Sequence, residues 1–436
     1  MTVSENQKKV ALITLGCPKN EVDSEVMAGE LARQGLTLVN DAEEADAVLI
    51  NTCGFIEAAK RESIDVILSA VELKKSDPRK RIAVWGCLSE RYRGEIEKEI
   101  PEVDGYFGVE PFEALGQWLI GENYRVSPQA HTGRQISTPP HVAYLKIADG
   151  CDHRCTFCAI PGIKGPFRSR PQSALLEEAR ILAERGVKEL ILIAQDTSRY
   201  GTDRADGSSL VSLLEGLVAV NGLAWIRVMY VHPLHVDEAL IDLMAREPKI
   251  VKYIDMPLQH IADSVLHRMG RGHDNERVRT LIARMRERMP SLVLRTAFIV
   301  GFPGETEEDF DALLDFVQDT GFQRLGAFVY SQEEGTAAAL LDGEVDKAVA
   351  QSRYDRLMTV QQEIAETIND RMVDRVIEVI VDGFDEDEGL HYGRSQGDGL
   401  DVDQLVWLEG HPPIGQIVPV KIDSTSTYDL FGTWVV

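Results

Sequence analysis

Three thiols crowd into the eight residues from Cys151 to Cys158, in Asp149-Gly150-Cys151-Asp152-His153-Arg154-Cys155-Thr156-Phe157-Cys158, spaced Cys-x3-Cys-x2-Cys. Thiolates on one short loop can bind three irons of a cubane 4Fe-4S cluster and leave the fourth iron without a protein ligand, open to chemistry. Zinc is the competing reading. It wants four closed ligands, and the available fourth, His153, lies inside the loop, where a tetrahedral site is strained. A disulfide plus a free thiol is a third reading, poorly suited to a reducing compartment.

The other three cysteines are far apart, yet each follows a short apolar run: Cys17 after 10–15, Cys53 after 47–50 and Cys87 after 82–85. Helical patterns at 20–34 and 57–75 separate these runs. Buried strands joined by helices predict a doubly wound open sheet, which binds ligands at the carboxyl ends of its strands. A lone cysteine at one strand end is a small core residue. Three at successive strand ends are more simply ligands of a second 4Fe-4S cluster, again with one iron exposed.

The elements that must position these thiols suggest an α/β chain of three domains. Residues 8–125 form the amino-terminal sheet domain, and 126–140, rich in Ser, Gln, Thr, Gly and Pro, read as a linker. Over 141–370 six apolar strand candidates, at 142–147, 189–194, 225–231, 253–257, 293–300 and 324–330, alternate with mostly helical patterns. They predict a partial (β/α)6 barrel, open on one side, with its chemistry at the carboxyl ends of the strands. Strand-end residues Gln195, Asp196, His232, Gln259 and His260 are therefore candidates, with loop capping as the competing role. Gly301-Phe302-Pro303-Gly304-Glu305-Thr306-Glu307 leaves the fifth strand, where Thr306 with Asp309 also suits a helix cap. Arg168 and Arg170 could meet a carboxylate. Residues 371–436 hold short strands at 376–381, 406–408 and 417–422 between turn residues, predicting a small antiparallel β-barrel.

Bulk composition narrows the function classes. A chain of 436 residues exceeds one ordinary core. Its 46 basic residues against 71 acids leave a formal charge of -25, which disfavours a general nucleic-acid binder and favours a basic protein partner. Residues 373–436 carry thirteen acids against three bases, unlike an RNA module. No apolar run approaches the roughly 18 residues of a membrane span. Lys8-Lys9 before Val10 to Cys17 loosely imitates a lipoprotein signal, but the run is short, is broken at Thr14, and reads better as a strand. The expectation is a cytoplasmic protein with reduced cysteines.

The cysteine loop, with Phe157 directly before Cys158, resembles the signature of radical S-adenosylmethionine (SAM) enzymes. The resemblance implies that Cys151, Cys155 and Cys158 hold a 4Fe-4S cluster whose open iron chelates SAM. It also implies that Phe157 lies near the adenine and that the cluster's electron cleaves SAM to a 5'-deoxyadenosyl radical. Gln195, Gly301 and Gly304 join as SAM contacts. The segment around Gly304 partly resembles the family's Gly-x-Ile-x-Gly-x-x-Glu: Gly304 and Glu307 fit, while Val300 and Phe302 replace the first Gly and the Ile.

A three-cysteine domain ahead of that loop resembles the methylthiotransferases. Thr14-Leu15-Gly16-Cys17-Pro18-Lys19-Asn20-Glu21-Val22-Asp23-Ser24-Glu25 is similar to the RimO branch, which modifies a ribosomal protein. The tRNA-modifying MiaB branch has Gln-Met in place of Pro18-Lys19. The terminal barrel resembles a TRAM domain. The resemblance implies methylthiolation of an aspartate in ribosomal protein S-twelve, with two 4Fe-4S clusters, two SAM molecules and a reductant such as flavodoxin or ferredoxin. It implies no catalytic residue beyond the six cluster ligands, while hydropathy argues for no membrane and charge argues against nucleic acid as direct substrate. A tRNA methylthiotransferase and a two-cluster electron carrier without SAM chemistry are the alternatives.

Overall fold

The structure, a computed structural model, describes residues 8–435. It divides into two compact units: residues up to Ser137 with 149–152 and 159–167, and residues 138–148 and 153–158 with everything from Arg168 onward.

In the first unit, β1 (Lys9–Thr14), β2 (Thr37–Val39), β3 (Ala47–Thr52), β4 (Arg81–Gly86) and β5 (Gly105–Tyr106) form a parallel sheet in the order β2-β1-β3-β4-β5. Central β3 is buried at every position, as a parallel strand covered on both faces must be. Its alternate side chains feed two cores. Val48 and Ile50 pack with Ile67 and Val71 of α2 (Glu57–Ser76) and with Leu88 and Ile96 of α3 (Cys87–Glu99). Ala47 and Leu49 pack with Met27 and Leu31 of α1 (Pro18–Arg33) and with Leu115 and Leu119 of α4 (Phe112–Ile120). The stretch 126–140 contains no helix or strand. It is nonetheless packed: Arg134, 1% exposed, pairs with Glu25, which also accepts the Ser137 N–H at 2.7 Å.

In the second unit, β6 (Val142–Lys146), β7 (Glu189–Ile193), β8 (Trp225–Val228), β9 (Ile250–Asp255), β10 (Val293–Val300) and β11 (Arg324–Val329) form one parallel sheet in the order β11-β10-β9-β8-β7-β6. Helices at Gln172–Glu184, Leu210–Val218, Glu238–Arg246, Asn275–Arg288 and Glu307–Thr320 connect successive strands. The ladder ends unpaired at β6 and β11, so the sheet is the open-sided half-barrel. Thr306 and Asp309 make a reciprocal capping box at the start of the last of these helices, as their spacing predicts. Among the described residues no helix is long and apolar enough to cross a membrane.

The chain ends in a closed five-stranded barrel, ordered β12 (Val376–Asp385), β13 (Leu390–Ser395), β14 (Val406–Glu409), β16 (Leu430–Trp434), β15 (Ile417–Thr425). Its interior holds Val379, Val381, Val406, Leu408, Val420, Ile422 and Leu430. Four of its pairings are antiparallel and β14 with β16 is parallel. A ring with an odd number of strands cannot alternate direction all the way round.

Buried ion pairs tie this barrel to the amino ends of the half-barrel strands within the same unit. Arg394, 1% exposed, lies 2.7 Å from Glu189 at the start of β7 and 2.7 Å from Asp382. Arg324 meets Asp398 at 2.6 Å, and Asp403 accepts from the Tyr253 hydroxyl at 2.7 Å and faces Arg295 at 3.3 Å. Burial would push the Glu189 carboxyl up, but Arg394 and Arg227 outweigh it and hold it below the usual range.

Candidate metal centres

Cys17, Cys53 and Cys87 sit where the strand pattern places them. Cys17 follows β1 as the N-cap of α1, Cys53 directly follows β3, and Cys87 follows β4 as the first residue of α3. Since β1, β3 and β4 are adjacent, three residues distant in sequence gather at one sheet edge.

Two glycines allow the approach. Gly16 has φ +94°, and a Cβ there would lie 2.7 Å from Cys53 Cβ and 3.0 Å from its Sγ. Gly86 has φ +96°, and its Cβ would stand 2.4 Å from Asn51 Oδ1. Two asparagines then tie the loops together. Asn20 Nδ2 donates to the Leu15 and Thr52 carbonyls at 3.0 and 3.1 Å, and Asn51 Nδ2 donates to the Asn20 carbonyl at 2.9 Å. The Ser63 hydroxyl clamps Cys53, accepting its N–H at 3.1 Å and donating to its carbonyl at 2.9 Å. What the two asparagines and Ser63 do is not evident from the sequence, because most of their partners lie ten or more residues away in the chain.

None of the six cysteines is joined in a disulfide among the described residues. Burial raises the Cys53 thiol and pushes Cys87 up to about 12, with Cys17 adding to both effects and Lys164 opposing the second. Three thiols form a soft, sulfur-only donor set, with Cys87 buried and Cys17 and Cys53 half-buried. Such a set binds well once a metal displaces its protons, which fits an iron-sulfur group.

The second thiol group lies on the loop beyond β6. Thr156 anchors the part that holds Cys155 and Cys158, donating its N–H to the Met269 carbonyl at 2.9 Å and its hydroxyl to the Arg268 carbonyl at 2.8 Å. The Cys158 N–H closes a turn on the Cys155 carbonyl at 3.1 Å, and Arg271 Nη1 lies 3.5 Å from Cys155 Sγ. His153, the candidate fourth zinc ligand, is engaged elsewhere. Its Nε2 meets Asp196 Oδ2 at 2.6 Å, and its ring stacks on His232 with centroids 4.3 Å apart.

His153, His232 and His235 themselves have metal-like spacing. The His232 Nδ1, however, accepts the Leu234 N–H at 3.3 Å, which places its proton on Nε2 and leaves no lone pair there. Burial first, then Arg271 and neighbouring imidazoles, holds His232 neutral.

The remaining candidates divide. Phe157 packs edge-to-face on Phe302 at 6.4 Å, in an apolar cluster with Ile299, Tyr330 and Ala338. Gln195 and Asp196 lie just past β7, and Asp196 is the residue that holds His153. Gln259 adopts φ +72° past β9, as does Tyr230 at φ +59° past β8, strained backbone of the kind found at functional sites. Gly301 abuts Ala350, and Gly304 abuts Arg268. Several candidates serve structure instead. His260 Nδ1 accepts the Ala262 N–H at 3.0 Å, Arg170 is held by Glu178 at 2.6 Å, and Glu307 pairs with Arg353 and Arg356.

Residues 9–108 match a family described as uncharacterized protein family UPF0004, 145–317 the radical SAM superfamily, and 373–435 the TRAM domain. The chain resembles a radical SAM methyltransferase of known structure, TsrM from Kitasatospora setae, with TM-score 0.58 at 13% identity over 82% of this chain and 89% of that one. The cobalamin-dependent radical SAM enzyme OxsB has TM-score 0.53 at 14% identity, covering 83% and 56% of the two chains. Both share the fold. Closer in sequence is the ribosomal protein uS12 methylthiotransferase RimO of Geobacter sulfurreducens, 42% identical over 443 residues and 99% of each chain. That of Myxococcus xanthus is 45% identical over 433 residues, 97% of this chain and 91% of the other. Two such relatives across nearly the whole length, with the radical SAM half-barrel and its terminal TRAM barrel in place, mean that this chain belongs to the RimO family of radical SAM methylthiotransferases.

Proposed function

We propose that this chain replaces a hydrogen on the side chain of an aspartate in ribosomal protein uS12 with a methylthio group, using two 4Fe-4S clusters and two molecules of SAM. The observation that carries this reading is the convergence of Cys17, Cys53 and Cys87 at three adjacent strand ends. SAM cleavage by itself needs one thiol trio, whereas sulfur insertion calls for a place to hold sulfur. The relatives named above carry that activity in their names. An unactivated methylene hydrogen is beyond any acid or base at neutral pH, so radical chemistry is required.

Cys151, Cys155 and Cys158 would hold the first cluster and Cys17, Cys53 and Cys87 the second. When bound, the first supplies the electron that turns SAM into a hydrogen-abstracting radical, and the second supplies the sulfur's binding place. The chain's own residues position and shield. Thr156 and the Asp196–His153 pair hold the loop in shape. Phe157 and Phe302 offer SAM an apolar wall that excludes water, with Gln195, Gly301 and Gly304 as the polar and backbone contacts.

A protein reductant such as flavodoxin or ferredoxin delivers electrons, and the work is done in the cytoplasm with the ribosomes. The exposed acids of the terminal barrel attract a basic ribosomal protein and repel RNA. We assign 8–125 to the amino-terminal methylthiotransferase domain, 126–140 to the connection, 141–370 to the radical SAM domain and 371–436 to TRAM.

Anaerobic reconstitution should load about eight irons per chain. Cys155→Ala should abolish SAM cleavage, while Cys53→Ala should leave cleavage and stop sulfur insertion. Mass spectrometry of uS12 from cells with and without the chain reads the product, and an unmodified uS12 in both would end this reading.

A further inference from the structure

Lys164 closes the short helix α5 (Ile160–Lys164), six residues past Cys158, and its side chain is 3% exposed. The ammonium stands 3.5 Å from Asp23 Oδ2 and 3.6 Å from Asp149 Oδ2. Asp23 lies on α1, six residues past Cys17, and Asp149 lies two before Cys151. All three belong to the first unit, where the Cys151 N–H also donates to the Gly165 carbonyl at 3.1 Å.

Burial works against the ammonium, but Asp23 and Asp149 outweigh it and raise Lys164, with Cys87 and Cys17 adding to the same effect. The helix that Lys164 ends packs against α3, of which Cys87 is the first residue. A buried cation therefore stands within the field of thiols that must lose their protons to bind iron.

We propose that Lys164 is a positioning residue for the amino-terminal cluster: clamped by Asp23 and Asp149, its ammonium offsets the negative charge of the Cys17, Cys53 and Cys87 thiolates and raises the cluster's reduction potential. This rests on the reading that those thiols hold a cluster. The potential of an iron-sulfur group follows the net charge around it. The segment just past the radical SAM thiols thereby sets the electrostatics of the other trio.

The test uses the full chain carrying Cys151→Ala, Cys155→Ala and Cys158→Ala, so that any cluster present belongs to the amino-terminal trio. Iron content and an EPR-monitored redox titration are the readouts. The background should retain about four irons. Lys164→Met should move the midpoint potential negative and reduce iron retention, Lys164→Arg should restore both, and the isosteric Asp23→Asn should move the potential positive. A packing role predicts no such opposite shifts. A background without iron overturns the thiol reading itself. A loaded background whose potential is unmoved by Lys164→Met and Asp23→Asn overturns the role of Lys164 alone. Should Lys164→Met fail to fold, Asp23→Asn decides.

Discussion

Glu305 titrates far from the usual carboxylate range because it is buried at the turn between β10 and the following helix. Burial pushes it up to about 7, against the Phe302 N–H at 3.0 Å and Arg353 at 3.1 Å. Unfolded, it titrates near 4.5. The folded state therefore holds the proton more tightly. The stability this provides is fully present below about pH 4.5 and is lost as pH rises through 7. Urea melts between pH 5 and 8 should show a loss on the order of 2 kcal/mol that Glu305→Gln removes. Arg353 keeps its second carboxylate, Glu307 at 3.2 Å, so the variant leaves no unpaired guanidinium. Reading 301–307 from sequence put glycines and acids at one turn. That Glu305 serves Arg353, 48 residues on, is a tertiary fact.

At the scale of elements, strand ends bring the chemistry together, and the turn after β4 shows how strictly. Gly86→Ala would force a Cβ to within 2.4 Å of Asn51 Oδ1 at φ +96°. The cost should be about 1–3 kcal/mol, and Cys87, the next residue, would move with the turn. Iron in the reconstituted variant should fall from about eight to about four per chain while SAM cleavage continues; full loading would show that the turn tolerates the change. The long buried strands and amphipathic helices were legible from periodicity. The edge strands β2 and β5, three and two residues long, were not, because so short a run has no period to detect. β13 (LHYGRS) and β16 (LFGTW) escaped because glycines interrupt their alternation.

Over the whole molecule, the acidity of the last domain has two uses. Asp382, Asp398 and Asp403 are consumed internally by Arg394, Arg324 and Arg295, whereas Glu386, Asp387 and Glu388 stand exposed on one loop. Arg394→Met leaves buried Glu189 with Arg227 alone, at 2.7 Å, and Asp382 with His141 alone, at 2.8 Å, and should cost roughly 3–5 kcal/mol, read by thermal or denaturant melts. Replacing Glu386, Asp387 and Glu388 by Lys should leave stability within about 0.5 kcal/mol. The same change should slow association with uS12 and flatten its salt dependence, checked by stopped-flow binding at two ionic strengths. An unchanged on-rate would remove electrostatic steering from the account.

The sequence by itself singled out the loop trio, because Cys151, Cys155 and Cys158 lie close enough in the chain for their spacing alone to imply a shared chemistry. It reached Cys17, Cys53 and Cys87 through strand-end logic, since parallel strands must align their carboxyl ends. Only the tertiary structure decided which groups surround them. Asn20 beside Thr52, Lys164 between Asp23 and Asp149, Asp196 on His153, and Arg394 across Glu189 and Asp382 are all pairings between residues remote in sequence. A buried charge or amide selects its partner by position in space, and no local pattern in the chain encodes that position.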